Sequence, residues 1–214
     1  MGKVFMPLAG RPVLVHTLER FAAVESVVEV VVAAPAACLA EARKQFGETV
    51  TAGRPLIFVA GGEDRVESVA RALAATDPKT DLVAVHDAVR PLIRPAVIRE
   101  AFRAAADHGG AVVGWPVDHT VKRVADGRRI VETVPRGGLW IAQTPQVFRR
   151  DCLTRAYAAR DRAGPGITDD AQLVEVLGQE VVMVYGDAAN LKITTPEDLR
   201  LCEALLVAGW PFGQ

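Results

Sequence analysis

Chemistry in this sequence has to start from charge: the cations Lys3, Arg65, Arg90, Arg136 and Lys192 lie in loops, and Asp87 is the leading acid among them. Other catalytic sets are missing. There is no Ser/His/Asp arrangement, no Cys/His pair and no helix with histidines at metal-ligand spacing. Several cations around one or two acids suit a reaction whose substrates are polyanions and whose barrier is mostly charge repulsion. Phosphoryl and nucleotidyl transfer belong to that class, because the enzyme positions phosphates and neutralises developing charge without forming a covalent bond.

The motifs around these residues each have a structural and a functional reading. In LVAVHDAVRP (Leu82 to Pro91) an apolar run ends at His86-Asp87, and Arg90 follows three residues later. Asp87 either caps the turn and pairs with Arg90, or both face a ligand beyond a strand end. In GGEDRVESV (Gly61 to Val69) two glycines after an apolar run let a backbone approach a flat ligand, while Arg65 and Ser68 offer a cation and a hydroxyl; Ser68 could equally bond within its own helix. The spacing is not that of a dinucleotide fingerprint. GLWIAQTPQVF (Gly138 to Phe148) reads as an apolar run followed by a rigid Thr-Pro-Gln turn. GITDDA (Gly166 to Ala171) reads as a helix start, with Thr168 as N-cap and acids in the first turn. In NLKITTPEDL, Lys192 sits between Leu191 and Ile193, which favours a directed charge, and Thr195-Pro196-Glu197-Asp198 is a strong helix start.

Short apolar runs alternate with amphipathic stretches, and that alternation must position the loops. Val27–Ala34, Leu56–Ala60, Leu82–His86, Ala111–Pro116 and Glu180–Tyr185 read as strands. Pro12–Ala22, Ala36–Phe46, Glu67–Ala75, Pro95–His108, Thr168–Leu177 and Pro196–Leu206 read as helices. The pattern predicts an α/β fold with a mostly parallel sheet and helices on both faces. Val117–Val134 breaks it as a polar hairpin around Asp126-Gly127, either a surface decoration or an arm that grips another subunit.

Composition sets the limits. The 214 residues, half hydrophobic with a formal net charge of -1, suit one domain without the basic field that gathers nucleic acid. The three cysteines, Cys38, Cys152 and Cys202, lie far apart and fit a reducing cytoplasm. No apolar run is long enough to span a bilayer, so no membrane partner is expected.

Taken in order, KVFMPLAGRPVLVHTL, GGEDRVESV, VHDAVRP, the polar hairpin, LWIAQTPQ, ITDDA and NLKITTPEDL resemble the 2-C-methyl-D-erythritol 4-phosphate cytidylyltransferase family over nearly the whole chain. The resemblance implies a Rossmann-like nucleotidyltransferase fold: a mostly parallel twisted sheet, helices on both faces and a protruding β-hairpin arm at about residues 117–138 of a single domain spanning 1–214. It implies transfer of CMP from CTP to 2-C-methyl-D-erythritol 4-phosphate, giving CDP-methylerythritol and pyrophosphate in non-mevalonate isoprenoid synthesis. Magnesium is expected to be held mainly by the CTP phosphates, with no protein metal ligands, in a cytoplasmic homodimer joined through the arm. By resemblance Lys3 and Lys192 are the catalytic lysines flanking the α-phosphorus. Gly62, Glu63 and Ser68 select cytosine, and Asp87 and Arg90 lie between nucleotide and polyol phosphate. Thr120 and Arg136 reach into the neighbouring subunit's site, and Thr144 and Thr168 complete the contacts to the polyol phosphate.

The sequence departs from the family at its start. The family opens with a strand and a glycine-rich loop, Ala-Ala-Gly-x-Gly-x-Arg-Met, and here Met1-Gly2-Lys3 immediately precedes the Phe-x-Pro-Leu segment. That strand lies inside the family's sheet, so its neighbours are expected to show unpaired edges. We expect omission of residues from the record, with Met1-Gly2 as the tail of the loop, and not a true truncation, because a fold lacking an internal strand is physically harder to accept. Two alternatives remain open: a cytidylyltransferase for another polyol phosphate such as ribitol 5-phosphate, and a catalytically impaired nucleotide-binding relative.

Overall fold

A computed structural model of the chain describes residues 3–46, 48–164 and 166–210, apart from the side chains of residues 48 and 49. Met1-Gly2, expected to be the tail of a longer loop, lie outside the described residues. A short hairpin, β1 (Pro7–Leu8) and β2 (Arg11–Pro12), turns through positive φ at Ala9 and Gly10 and leads into α1 (Val13–Ala22). The elements β3 (Val30–Ala34), α2 (Leu39–Gln45), β4 (Leu56–Ala60), α3 (Arg65–Ala74), β5 (Leu82–Val85), α4 (Pro95–His108) and β6 (Gly110–Pro116) follow in the expected alternation. Next come β7 (Val121–Ala125) and β8 (Arg129–Val134), then β9 (Trp140–Arg149), α5 (Arg150–Ala158), α6 (Asp170–Glu175), β10 (Val182–Tyr185) and α7 (Pro196–Val207).

The sheet is mixed where a mostly parallel one was expected. Its four-stranded part runs β10-β6-β9-β5, with β10 parallel to β6 and β9 antiparallel to both its neighbours. The physical reason is β9, which was expected to be a turn at Thr144-Pro145-Gln146 and is instead a ten-residue strand inside the sheet. A proline is normally barred from an interior strand because it has no N–H for the ladder. Here the ladder avoids it: the β6 register jumps from Val112 opposite Gln146 to Gly114 opposite Ala142, and the β5 register stops at Gln146. Pro145 therefore sits in a bulge with no ladder bond to lose.

Two cores cover the faces of this sheet. On one, α4 buries Ile98, Ala101 and Ala105 against Ala111, Val113 and Val147. On the other, α5 and α6 bury Leu153, Leu173 and Val174 against Val112 and Phe148. Helix α5 was not expected from sequence, and α6 is shorter than the Thr168–Leu177 helix that was. Its N-cap is Asp169, whose side chain accepts from the Gln172 N–H, and not Thr168.

The pair β3–β4 is parallel and separate. Among the described residues no strand pairs with the second edge of β3 or of β5. Between them lies an apolar slot of about 360 Å³ lined by residues that include Val30, Val32, Leu82, Ala84, Phe21 and Leu73. The hairpin β7–β8 turns at Asp126 (φ 52°) and Gly127 (φ 72°), as the Asp-Gly pair predicts, and its residues are mostly exposed.

Candidate active site

The carboxyl end of β5 carries the centre of the site. Asp87 Oδ2 lies 3.1 Å from Arg90 Nε and 3.1 Å from Lys192 Nζ, so two cations from distant parts of the chain share one carboxylate oxygen. Burial alone would raise the Asp87 pKa, yet the adjacent charges of Lys192 and Arg90 outweigh it and hold the carboxyl below its ordinary range. The turn is fixed by the Arg90 N–H donating to the Asp87 carbonyl at 3.0 Å. Arg90 Nη1 also donates to the Asn190 carbonyl at 2.8 Å, which ties the turn to the loop carrying Lys192. The pairing of Asp87 with Arg90 that one of the two sequence readings expected is therefore present, at the carboxyl end of β5.

Lys192 stays available. Its side chain is 44% exposed while Asp87 and Arg90 are 14% and 12% exposed, because Ile193 beside it is buried and anchors the extended segment. Lys3 joins the same loop by donating from Nζ to the Thr194 carbonyl at 2.7 Å. The segment ends in a capping box at α7, where Thr195 and Asp198 exchange bonds with each other's backbone N–H. Two cations, Arg90 and Lys192, against the single Asp87 carboxylate leave a local positive surplus, the property needed to hold phosphates.

The loop between β4 and α3 is braced from within. Ser68 Oγ accepts the Gly62 N–H at 3.0 Å and donates to the Asp64 carbonyl at 2.7 Å. Glu67 reaches back to the Glu63 N–H at 2.7 Å, and Asp64 caps α3 through the Glu67 N–H at 2.7 Å. A Cβ on Gly62 would stand 2.3 Å from the Glu67 Cβ, so this position takes only glycine unless the loop moves. Ser68 accordingly bonds within its own loop, beside a half-buried Gly62 and an exposed Glu63.

The loop before α6 is braced by a buried acid that sequence reasoning assigned to plain helix capping. Asp170 is fully buried, accepts from the Tyr157 hydroxyl and pairs through Oδ2 with Arg65 Nη2 at 2.6 Å. Burial would lower the Arg65 pKa, but its bond to Asp170 reverses the direction. Gln146 on β9 ties in as well, accepting from the Asp170 and Ala171 N–H groups at 3.0 Å each and donating to Asp169 at 2.9 Å. Arg65 and Asp170 are 105 residues apart, so the signal for this pair is tertiary. Thr168 itself is exposed and donates to Gln172 Oε1 at 3.1 Å.

Thr144 comes from the bulge of β9 and meets Asp87: its hydroxyl accepts the Asp87 N–H at 3.0 Å. Thr120 and Arg136 lie at the exposed base of the β7–β8 hairpin, where Arg136 donates to the Asp118 carbonyl. The structure therefore gathers Asp87, Arg90, Thr144 and Lys192, and ties Lys3 to the Lys192 loop at the Thr194 carbonyl. No described contact joins Thr120, Arg136 or Thr168 to that cluster.

The full-length pattern of such loops matches the family model for 2-C-methyl-D-erythritol 4-phosphate cytidylyltransferase (IspD) over residues 1–208. The chain belongs to that family. As a member it is a nucleotidyltransferase, and its reaction is the CTP-dependent transfer of a cytidylyl group onto 2-C-methyl-D-erythritol 4-phosphate in isoprenoid synthesis. Among its relatives, the enzyme of that name from Solibacter usitatus is 44% identical over 207 residues, covering 95% of this chain and 84% of its own. That from Symbiobacterium thermophilum is 44% identical over 205 residues, with 96% and 85% covered. The crystal structure of the family enzyme from Thermus thermophilus superposes with a TM-score of 0.81 at 36% identity, covering 96% of this chain and 94% of that one.

Proposed function

We propose that the Asp87 cluster is where the two polyanionic substrates meet in line, with Lys3 and Lys192 beside the α-phosphorus of CTP. The observation that carries this reading is the single carboxylate oxygen 3.1 Å from both Arg90 and Lys192, with Lys3 bonded to the next residues of the Lys192 loop. A phosphate oxygen of methylerythritol phosphate attacks the α-phosphorus, a new P–O bond forms, the bond to the β-phosphate bridge breaks, and pyrophosphate leaves. The nucleophile is already an anion, so no side chain acts as base. Lys3 and Lys192 neutralise charge that builds on the transferring group, each contributing about 2 to 4 kcal/mol to barrier lowering.

Gly62, Glu63 and Ser68 form the loop that takes the cytosine, and Asp87 holds a hydroxyl of ribose or polyol when the nucleotide displaces part of its ion pairing. Arg90 neutralises the polyol phosphate, and Thr144 and Thr168 border it. Magnesium would be carried mainly by the CTP phosphates, with the Asp87 carboxylate of the cluster placed to help position it. When bound it lowers the repulsion between the two anions. No described helix is long and apolar enough to cross a membrane, and we place the enzyme in the cytoplasm.

The functional unit is a homodimer in which the hairpin arm, with Thr120 and Arg136 at its base, enters the neighbouring subunit's site. Supporting this, Val124, Ile130 and Val131 on the hairpin and Ile141 beside its base are each more than half exposed, an apolar surface that a second subunit would cover. Pyrophosphate release with CTP and magnesium tests the reading. Methylerythritol phosphate is the expected substrate, with Lys192→Ala and Arg90→Ala slower by on the order of a hundredfold or more while circular dichroism is unchanged. Preference for ribitol 5-phosphate, or wild-type rates in either variant, would overturn it.

A further inference from the structure

His86 precedes Asp87 and is partly buried, on the wall of the slot between β3 and β5. The ring of Phe21 lies 4.9 Å from it, Nε2 faces the Arg90 carbonyl at 3.2 Å and Nδ1 faces Thr144 Oγ1 at 3.0 Å. A carbonyl oxygen can only accept, so the proton of a neutral imidazole belongs on Nε2 and Nδ1 is left as an acceptor. The other tautomer would set two lone pairs against each other. With Nε2 protonated, the Thr144 hydroxyl donates to Nδ1, and the same oxygen accepts the Asp87 N–H at 3.0 Å.

A hydroxyl has one proton, and that of Thr144 is committed to His86. Thr144 is also only 4% exposed. Its two partners are His86 and the backbone of Asp87, the residue that holds Arg90 and Lys192, and the β9 bulge is what delivers it there beyond the last rung of the β5 ladder. Burial is the largest influence on the ring and keeps the imidazole neutral; the Arg90 carbonyl, the Asp87 charge and the Thr144 backbone favour a proton on it, and the Arg90 charge opposes one.

We infer that His86 and Thr144 form a hydrogen-bond relay that fixes the Asp87 turn, so that Thr144 serves the reaction as a positioning residue acting through Asp87 and not by donating a hydrogen bond to substrate. The kinetic side of this inference rests on the site assignment proposed above; the hydrogen-bond side does not.

The test has two arms. In the substrate-free wild-type protein labelled with ¹⁵N-histidine, long-range ¹H–¹⁵N spectra should show His86 protonated at Nε2 alone, with no titration from about pH 8 down to about pH 5. A proton on Nδ1 in that range overturns the relay. In the second arm, Thr144→Val should lower kcat by about ten- to a hundredfold with the KM for methylerythritol phosphate changed less than about threefold, and Thr144→Ser should recover most of that loss. Combining Thr144→Val with His86→Leu should be no slower than the slower single variant, because one relay is being broken twice. A Thr144→Val enzyme with wild-type kcat and a KM raised about tenfold would show direct substrate contact and overturn the inference. If wild type releases no pyrophosphate from CTP and methylerythritol phosphate, the assigned reaction fails, and the spectra alone decide the relay.

Discussion

Burial gives His86 a second consequence, on stability. Its pKa is lowered from 6.5 to about 4, so between those values the unfolded chain binds a proton that the folded chain refuses. Stability should therefore fall as pH drops from about 6.5 to about 4 and should lose nothing further to this group below that, the total being up to about 3 kcal/mol. Asp87 acts in a separate and lower window: its depressed carboxyl adds stability above the ordinary carboxylate range, which is lost as pH falls through its folded value. Urea unfolding at stepped pH should show the upper limb in wild type and its absence in His86→Leu; equal slopes in the two proteins would remove His86 as the cause. Asp87 and Arg90 were legible in the sequence because they sit three residues apart after an apolar run. The part played by His86 was not, since a lone histidine carries no spacing signal and its partner Thr144 lies 58 residues away. The Arg65–Asp170 pair was hidden for the same reason, with Asp170 reading as an ordinary acid of a first helical turn.

At the scale of elements, the loop from β4 to α3, which we propose takes the cytosine, has little space at Gly62. Glu67 Oε2 accepts the Glu63 N–H, and a Cβ on Gly62 would come within 2.5 Å of that same oxygen. Gly62→Ala must therefore push Glu67 off the Glu63 amide and open the loop. The KM for CTP is expected to rise by about tenfold with a smaller change in kcat, measured by initial rates at saturating methylerythritol phosphate. An unchanged KM would mean that the loop does not touch the nucleotide. Most strands and long helices were readable from periodicity, and the α7 start was readable from Thr195-Pro196-Glu197-Asp198, where the structure has a capping box. β9 was not, because Pro145 is a turn signal in any local reading, and only the register jump at Val112–Gly114 makes an interior proline tolerable. Thr168 missed its assigned place by one position: Asp169 next to it has an equally good capping side chain, and the geometry chose that one.

At the scale of the whole molecule, the apolar residues of the hairpin predict association. Sedimentation at micromolar concentration should give a dimer, and Ile130→Lys with Val131→Asp should give monomers that keep their circular dichroism but lose turnover. Fully active monomers would place the complete site within one chain. The Arg90 guanidinium meets the Asn190 carbonyl across 100 residues of chain. A growing chain therefore carries the Asp87 turn long before the lysine that pairs with it has been made, and the site closes among the last long-range contacts to become possible.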